Sequence, residues 1–292
     1  MSRPTPARPT TAQLNGITIS YTDARPAAGA SAPLVVMVMG TGSPGRVWHA
    51  NQQPALLKAG FRVVTFDNRG VAPSSECAEG FALADMVADT AALIEHLGAG
   101  PALVVGTSLG ARITQELALA RPDLVRGVAM LGTYGRSTPM LEAFSVGERA
   151  LYDRGIELPT EYYAAVTAHM NLSPHTLAND RDARDWLDII GFGGQSRSPG
   201  IRAQLGLHER EEDRLAAYRG ITVPAMVVGF ADDRTLPVHL AREVAEAIPG
   251  ARYEEVERAG HFGYLERPDA VNGLLLDFLR SVGTGAVDQR GQ

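Results

Sequence analysis

The 292-residue sequence predicts an α/β protein: a mostly parallel, eight-stranded sheet flanked by helices, with a helical segment inserted between two of its strands. Three observations carry this. Short apolar, β-branched runs alternate with stretches of helical periodicity, the pattern of a parallel sheet covered on both faces. One such run, Leu103-Val104-Val105, passes straight into a helical pattern (Ile113, Leu117, Ala120) across Gly106-Thr107-Ser108-Leu109-Gly110. And residues 135–219 contain no convincing strand, yet the stretch is far too long for a loop in a compact domain.

In chain order, Gln13-Leu14 and Ile17–Tyr21, turned by Asn15-Gly16, predict an opening hairpin. Leu34–Met39 is a buried strand, followed by the loop Gly40–Gly45 and a helix expected over Arg46–Ala59. Phe61–Phe66 is a strand closed by Asp67-Asn68-Arg69-Gly70, and Phe81–Leu97 an amphipathic helix. The strand at 103–105 and its helix, which Arg121-Pro122 stops, lead to a strand at Gly127–Leu131. Helical pieces are expected at Pro139–Arg154, Pro159–Met170, Asp180–Ile190 and Arg197–Tyr218. The sheet resumes with Ala225–Phe230, a helix over Pro237–Ile248, a strand at Arg252–Val256 and a last helix over Pro268–Arg280. The expected division is a flexible N-terminus (1–10), a core from 11–134 and 220–280, a helical cap over 135–219, and a flexible tail (281–292).

Composition narrows the function. At 45% hydrophobic and 21% charged, the chain is an ordinary globular protein. A net charge of −6 with mixed signs and no basic stripe argues against nucleic acid as a partner. The single cysteine, Cys77, excludes an intramolecular disulfide and fits a reducing compartment. Met1–Thr10 lacks the apolar core of a signal peptide, and Leu34–Met39 is too short to cross a bilayer. A cytoplasmic location without membrane contact is expected. No His/Cys/Asp cluster has metal-ligand spacing, and no cofactor is expected; Gly40–Gly45 is followed by Arg46 where a phosphate loop has Lys-Ser/Thr.

The chemistry centres on Ser108. G-x-S-x-G on a strand-to-helix turn holds a serine in a strained, exposed conformation, with the next N–H and the helix N-terminus turned toward a developing oxyanion. A serine hydroxyl needs a base, and the base an orienter. Ligands gather at the carboxyl ends of parallel strands, so the search narrows to acids and histidines just after later strands. His261, between Gly260 and Phe262-Gly263, is the candidate base; His49, His96, His169, His175, His208 and His239 fall on expected helices or in the cap. Asp232 and Asp233 both follow a strand, one to face the histidine and the other to cap the helix at Pro237.

Together these residues resemble the α/β-hydrolase superfamily, in its serine branch with a helical cap. The resemblance spans about Leu14–Leu279. It is carried by Met39-Gly40-Thr41-Gly42 with Trp48, Asp67-Asn68-Arg69-Gly70 with Ser74, the elbow at 106–110, Asp233–Pro237, and Gly260-His261 with Glu266-Arg267-Pro268. It implies Asp233 as the acid, from the D-x-x-x-P spacing, and Thr41 as the second oxyanion donor beside Leu109. Many members have histidine where this chain has Met39, a position that shapes the oxyanion loop. Asp67 and Arg69 are expected to brace the fold and Trp48 to pack.

The expected reaction is acyl-enzyme hydrolysis of a small or medium, largely apolar ester or thioester held under the cap. The alternatives share the same residues: a carbon–carbon bond hydrolase, a cofactor-free perhydrolase, or an accessory enzyme of specialised metabolism. A non-catalytic ligand receptor is disfavoured, because binding alone does not need all three groups. Met140, Phe144, Tyr152, Tyr162, Tyr163, Met170, Trp186 and Phe192 supply the cap's apolar surface, most of it expected as packing, and Gly191, Gly193 and Gly194 are expected to let it move.

Overall fold

The computed structural model describes residues 8–26, 32–195, 197–207 and 212–283. His208, residues 1–7 of the expected flexible N-terminus and residues 284–292 of the expected tail lie outside them. The eight strands are β1 (Thr10–Leu14), β2 (Ile17–Ala24), β3 (Leu34–Val38), β4 (Arg62–Phe66), β5 (Ala102–Thr107), β6 (Val125–Leu131), β7 (Ala225–Phe230) and β8 (Arg252–Val256). They form one sheet in the order β1-β2-β4-β3-β5-β6-β7-β8. β1 pairs with β2 and β2 with β4 antiparallel; every other pairing is parallel. Asn15 (φ 47°) and Gly16 (φ 77°) turn the first hairpin, both with the positive φ that a tight two-residue loop requires. Every residue of β3, β5 and β7 is buried, which is why these strands read as unbroken apolar runs.

Helices cover both faces. The first three are α1 (Gln52–Lys58), α2 (Leu83–Leu97) and α3 (Leu109–Ala120). Met86 and Leu93 of α2 and Ile113 and Leu117 of α3 bury one face against Val36 and Val104. The single helix expected over 46–59 is instead a 3-10 turn at Gly45–His49 followed by α1. Pro54 explains the break: it has no N–H to give a carbonyl one turn earlier, so it is tolerated only in a helix's first turn.

Between β6 and β7, the helices among the described residues are α4 (Pro139–Asp153), α5 (Thr160–Asn171), α6 (Pro174–Leu177), α7 (Asp180–Gly193), α8 (Pro199–Leu205) and α9 (Leu215–Tyr218). Their starts are written in the sequence. Thr138, Asn179 and Ser198 cap α4, α7 and α8, and proline opens α4, α6 and α8 where no N–H is needed. Of the helix expected over 197–218, the described residues form α8, which ends at Leu205 with Gly206 as its C-cap, and α9. Gly191 and Gly193 lie inside the last turn of α7; only Gly194, at φ +66°, leaves the helix. Met140, Phe144, Tyr162 and Phe192 are exposed rather than packed. α4 buries Leu141 and Ser145 and α5 buries Ala164 and Ala168, so Met140, Phe144 and Tyr162 stand off those inner faces.

The chain closes with α10 (Val238–Ala247), α11 (Gly263–Glu266) and α12 (Pro268–Gly283). α12 lays Val271, Leu275 and Leu279 on the second sheet face, in one cluster with Trp48, Val105 and Val228. It runs three residues into the expected tail, and β1 starts at Thr10 within the expected flexible N-terminus. No described helix is long and apolar enough to cross a membrane.

Candidate active site

Because β3, β5, β6, β7 and β8 are parallel neighbours, the loops after them share one edge of the sheet. Thr41 follows β3, Ser108 and Leu109 follow β5, Asp233 follows β7 and His261 follows β8, so all five lie on that edge.

Ser108 sits between β5 and α3 at φ 55°, ψ −122°, a backbone conformation that side chains rarely adopt. Its surroundings over-determine it. A Cβ on Gly106 would lie 2.5 Å from the Gly110 carbonyl carbon and 2.5 Å from Thr114 Oγ1. One on Gly110 would lie 2.6 Å from the Val38 carbonyl carbon and 2.7 Å from Met39 O. Both elbow glycines are therefore demanded by close approach, of strand to helix and of helix to β3. The Ser108 N–H donates to Leu131 O of β6 at 3.0 Å, and its carbonyl accepts from Ala111 and Arg112 as α3 begins. Ser108 is half-buried, while Leu109 is fully buried.

The loop after β3 touches the serine directly: a Cβ on Gly40 would lie 3.1 Å from Ser108 Cβ. Met39 carries no polar contact into this loop from its side chain, which is buried in the core beside Trp48. Backbone and neighbours hold the loop instead. Asn68 Nδ2 donates to Met39 O at 2.9 Å, the Gly42 N–H donates to Gln204 Oε1 at 2.7 Å, and the Gly45 N–H donates to Asp67 Oδ1 at 2.8 Å. Half-buried Thr41 lies between the first two anchors. Burial pushes the Asp67 carboxyl upward, against the pull of its bond from Gly45.

His261 and Asp233 are in contact, Nδ1 to Oδ2 at 2.7 Å, both buried. Asp233 uses its other oxygen to accept the Leu236 N–H at 2.7 Å, so its carboxylate is fixed at both ends. The expected division of labour between the two aspartates changes here. Neither caps α10, whose N-cap position is Pro237, with no side-chain bond there. Asp232 turns the other way and accepts from Ser173 Oγ at 2.5 Å.

That bond belongs to a wider clamp. The stretch around Leu172 lies against the histidine loop so closely that a Cβ on Gly260 would come within 2.5 Å of Asn171 O and 2.6 Å of the Leu172 carbonyl carbon. The Phe262 N–H donates to Asn171 O at 2.9 Å. Glu266 accepts from both sides of the contact, from Gly260 N at 2.7 Å and Ser173 N at 3.0 Å. In the sequence, Glu266 and Asn68 stand out only within family motifs, and Gln204 and Ser173 not at all. Their partners lie far off in sequence, 162 residues for Gln204 and Gly42, so no local pattern reports them.

Trp48 packs, its ring 5.1 Å from that of Tyr264. Arg69 is locked to Asp89 of α2 by two bonds of 2.5 and 2.6 Å. Among the described residues no group of three His, Cys, Asp or Glu side chains is arranged to hold a metal. A separate open cleft of about 1180 Å³, bordered by Val87, Glu116 and Ala203, includes none of these site residues.

With this geometry in place, residues 33–268 match the family described as the alpha/beta hydrolase fold. The chain belongs to the α/β-hydrolase family. Within it, the chain is 46% identical over 248 residues to a Mycobacterium tuberculosis (H37Rv) protein named "Putative non-heme bromoperoxidase BpoC", covering 85% of this chain and 94% of that one. The crystal structure of that protein superposes at a TM-score of 0.85 and 44% identity, over 90% and 96% of the two chains. An enol-lactonase from Burkholderia xenovorans LB400 superposes at a TM-score of 0.80 and 26% identity, over 93% and 100%. The chain is also 28% identical to a Klebsiella pneumoniae protein named "Putative carbamate hydrolase RutD", over 88% of this chain and 95% of that one. It is an enzyme of the α/β-hydrolase family, with no membrane-spanning helix among the described residues.

Proposed function

We propose that this enzyme hydrolyses a small or medium, largely apolar ester or thioester through an acyl-enzyme on Ser108. The observation that carries the reading is the buried His261–Asp233 contact at 2.7 Å on the same sheet edge as a strained, accessible serine. Asp233 holds His261 with its Nδ1 protonated, which leaves Nε2 free to take the Ser108 proton as Oγ attacks the acyl carbon. The oxyanion is held by the N–H groups of Leu109 and Thr41, each worth about 3 kcal/mol. His261 then gives its proton to the departing alcohol or thiol. Water, deprotonated in turn by His261, releases the acid and restores the serine. No cofactor is required. A lactone is an ester closed on itself, so the similarity to a lactonase fits the same steps. In this reading residues 135–219 form a cap, and the substrate lies beneath it.

The bromoperoxidase name of the 46%-identical relative favours a second outcome of the same intermediate. Hydrogen peroxide in place of water would attack the acyl-enzyme and release a peracid, which oxidises bromide outside the site.

The test is labelling with a fluorophosphonate probe, with turnover of p-nitrophenyl esters of increasing acyl length, in the wild type and Ser108→Ala. Labelling and turnover are expected in the wild type and lost in the variant, with melting unchanged. Turnover that persists in Ser108→Ala, or a folded wild type that neither labels nor turns over, overturns the proposal. Bromide oxidation dependent on both a carboxylic acid and peroxide would select the perhydrolase outcome.

A further inference from the structure

On the acyl-transfer reading above, the oxyanion depends on the Thr41 N–H, which lies in a loop without the histidine that often shapes it. The structure shows what braces that loop from outside. Gln204 of α8 is wholly buried, and its amide is used at both ends: Oε1 accepts from Gly42 N at 2.7 Å, and Nε2 donates to Arg69 O at 2.7 Å. Each bond fixes the other's direction, because only one orientation of the amide satisfies a donor on one side and an acceptor on the other. The Arg69 end is anchored in turn, since its guanidinium is paired with Asp89.

The helix carrying Gln204 is docked hard. A Cβ on Gly200 would lie 2.6 Å from Gly70 O, and one on Gly70 2.7 Å from Gly200 O, so the two backbones touch. Ile201 fills the space beside Gly42, whose φ of +66° turns the loop there. Thr41 is thus held between the Asn68 bond to Met39 O and the Gln204 bond to Gly42 N. The first comes from the core and the second from the helical segment.

We propose that Gln204 is a positioning residue, coupling the docking of α8 to the geometry of the Thr41 oxyanion donor. It touches no reacting atom. Its effect falls on the tetrahedral state, where the position of the N–H matters most, and not on ground-state binding.

The experiment compares wild type, Gln204→Met and Gln204→Glu. Methionine keeps the volume and removes both bonds. Glutamate keeps the acceptor for Gly42, and its carboxyl reproduces the donor to Arg69 O only when protonated. Each variant is measured for melting temperature, kcat and KM on a p-nitrophenyl ester, inhibition by a boronic acid that forms a tetrahedral adduct on the serine, and the pH dependence of kcat. For Gln204→Met the expected result is a kcat about 30-fold lower, within the about 100-fold that a 1 Å misplacement costs. KM should stay within about threefold, and boronate affinity should weaken in step with kcat/KM. For Gln204→Glu, kcat relative to wild type should rise as the pH is lowered. Wild-type kcat and boronate affinity in Gln204→Met would overturn the proposal and leave the serine mechanism standing. Losses shared equally by KM, kcat and melting, with no pH-dependent recovery in Gln204→Glu, would reduce Gln204 to a packing residue and overturn it too. Should Gln204→Met not fold, the pH dependence of Gln204→Glu decides alone. A wild type that neither labels nor turns over would instead refute the mechanism on which this inference rests.

Discussion

The closeness of α3 to β3 makes Gly110→Ala the sharpest test of how the elbow is built. The added methyl would sit 2.6 Å from the Val38 carbonyl carbon and 2.7 Å from Met39 O, and nearer still to Val38 O. Non-bonded carbons prefer about 3.5 Å or more, so roughly 1 Å of separation must be found. The obstructing atoms are backbone at the end of a wholly buried strand, and no rotamer change relieves them. Overpacking of this kind costs about 1–3 kcal/mol, and rigid partners put it near the upper end, about 3 kcal/mol. At roughly 2 °C per kcal/mol for a chain of this size, melting should fall by about 6 °C. The same displacement separates Ser108 from Gly40 and Thr41, so turnover should fall by about 100-fold. Gly147→Ala is the control. Gly147 is exposed within α4 with nothing within 4 Å of an added Cβ, and alanine there should stabilise by up to about 1 kcal/mol. Thermal denaturation followed by circular dichroism, with ester turnover, reads both. A Gly110→Ala protein that melts with the wild type to about 1 °C and keeps its turnover would refute the close-approach argument.

Two further outcomes follow from the carboxylates. Asp233→Asn should lower kcat by about 10⁴-fold, because the amide misorients the imidazole, whereas Asp232→Asn, facing Ser173, should retain kcat to within about tenfold; equal losses would refute the assignment. In β2, burial alone would raise the Asp23 carboxyl, but two bonds of 2.8 Å from Arg62, with Arg25 adding to them, outweigh it and hold it below the usual carboxylate range. A depressed folded-state pKa contributes stability that is present at neutral pH and lost as the pH falls through that range. Asp23→Asn should therefore cost about 1 kcal/mol at pH 7 in urea unfolding, and the deficit should close in more acidic buffer; the same deficit at both would refute the pairing.

Most of the fold was legible because a parallel sheet forces its strands to be apolar throughout. Leu34–Val38 and Ala225–Phe230 read as strands for that reason alone. The strand-to-helix turn at Ser108 was legible because the hydrophobic period changes there and because both glycines answer to a steric demand. Positions of His261 and the aspartate pair followed from their distance past a strand. That Asp233 faces His261 came only through the D-x-x-x-P resemblance, and what Asp232 touches did not follow at all, since that depends on Ser173, some 59 residues away. Periodicity also overestimated helix continuity, at Pro54 and beyond Leu205, and it could not say which of the cap's apolar residues pack and which, like Met140 and Phe144, are exposed. A hydrophobic residue one position off the Leu141–Ser145 stripe looks the same in sequence as one on it.

The site divides according to what holds each part. Ser108 is held by the core alone: Gly106 and Gly110 at closest approach, Gly40 against its Cβ, and Leu131 O on its N–H. A residue strained by about 1–3 kcal/mol persists only where its neighbours leave no alternative, and these are all backbone. The loops expected to serve it are held differently. The histidine loop rests on Asn171–Ser173 through Glu266, and the Gly40–Gly45 loop leans on Gln204, so each is fastened by a different part of the helical segment. α8 is locked to the loop at Gly70 by backbone contact, and the Asn171–Ser173 stretch by four hydrogen bonds to Phe262, Glu266, Asp232 and Thr235. Swinging the whole segment away would break both fastenings together. Any opening that preserves the site must leave both anchors in place, and α4 is itself tied to one of them, since Arg202 of α8 donates to Asp153 at 2.9 Å. On the function proposed above, the exposed Met140, Phe144, Tyr162 and Phe192 of α4, α5 and α7 face the solvent from which an apolar substrate would arrive.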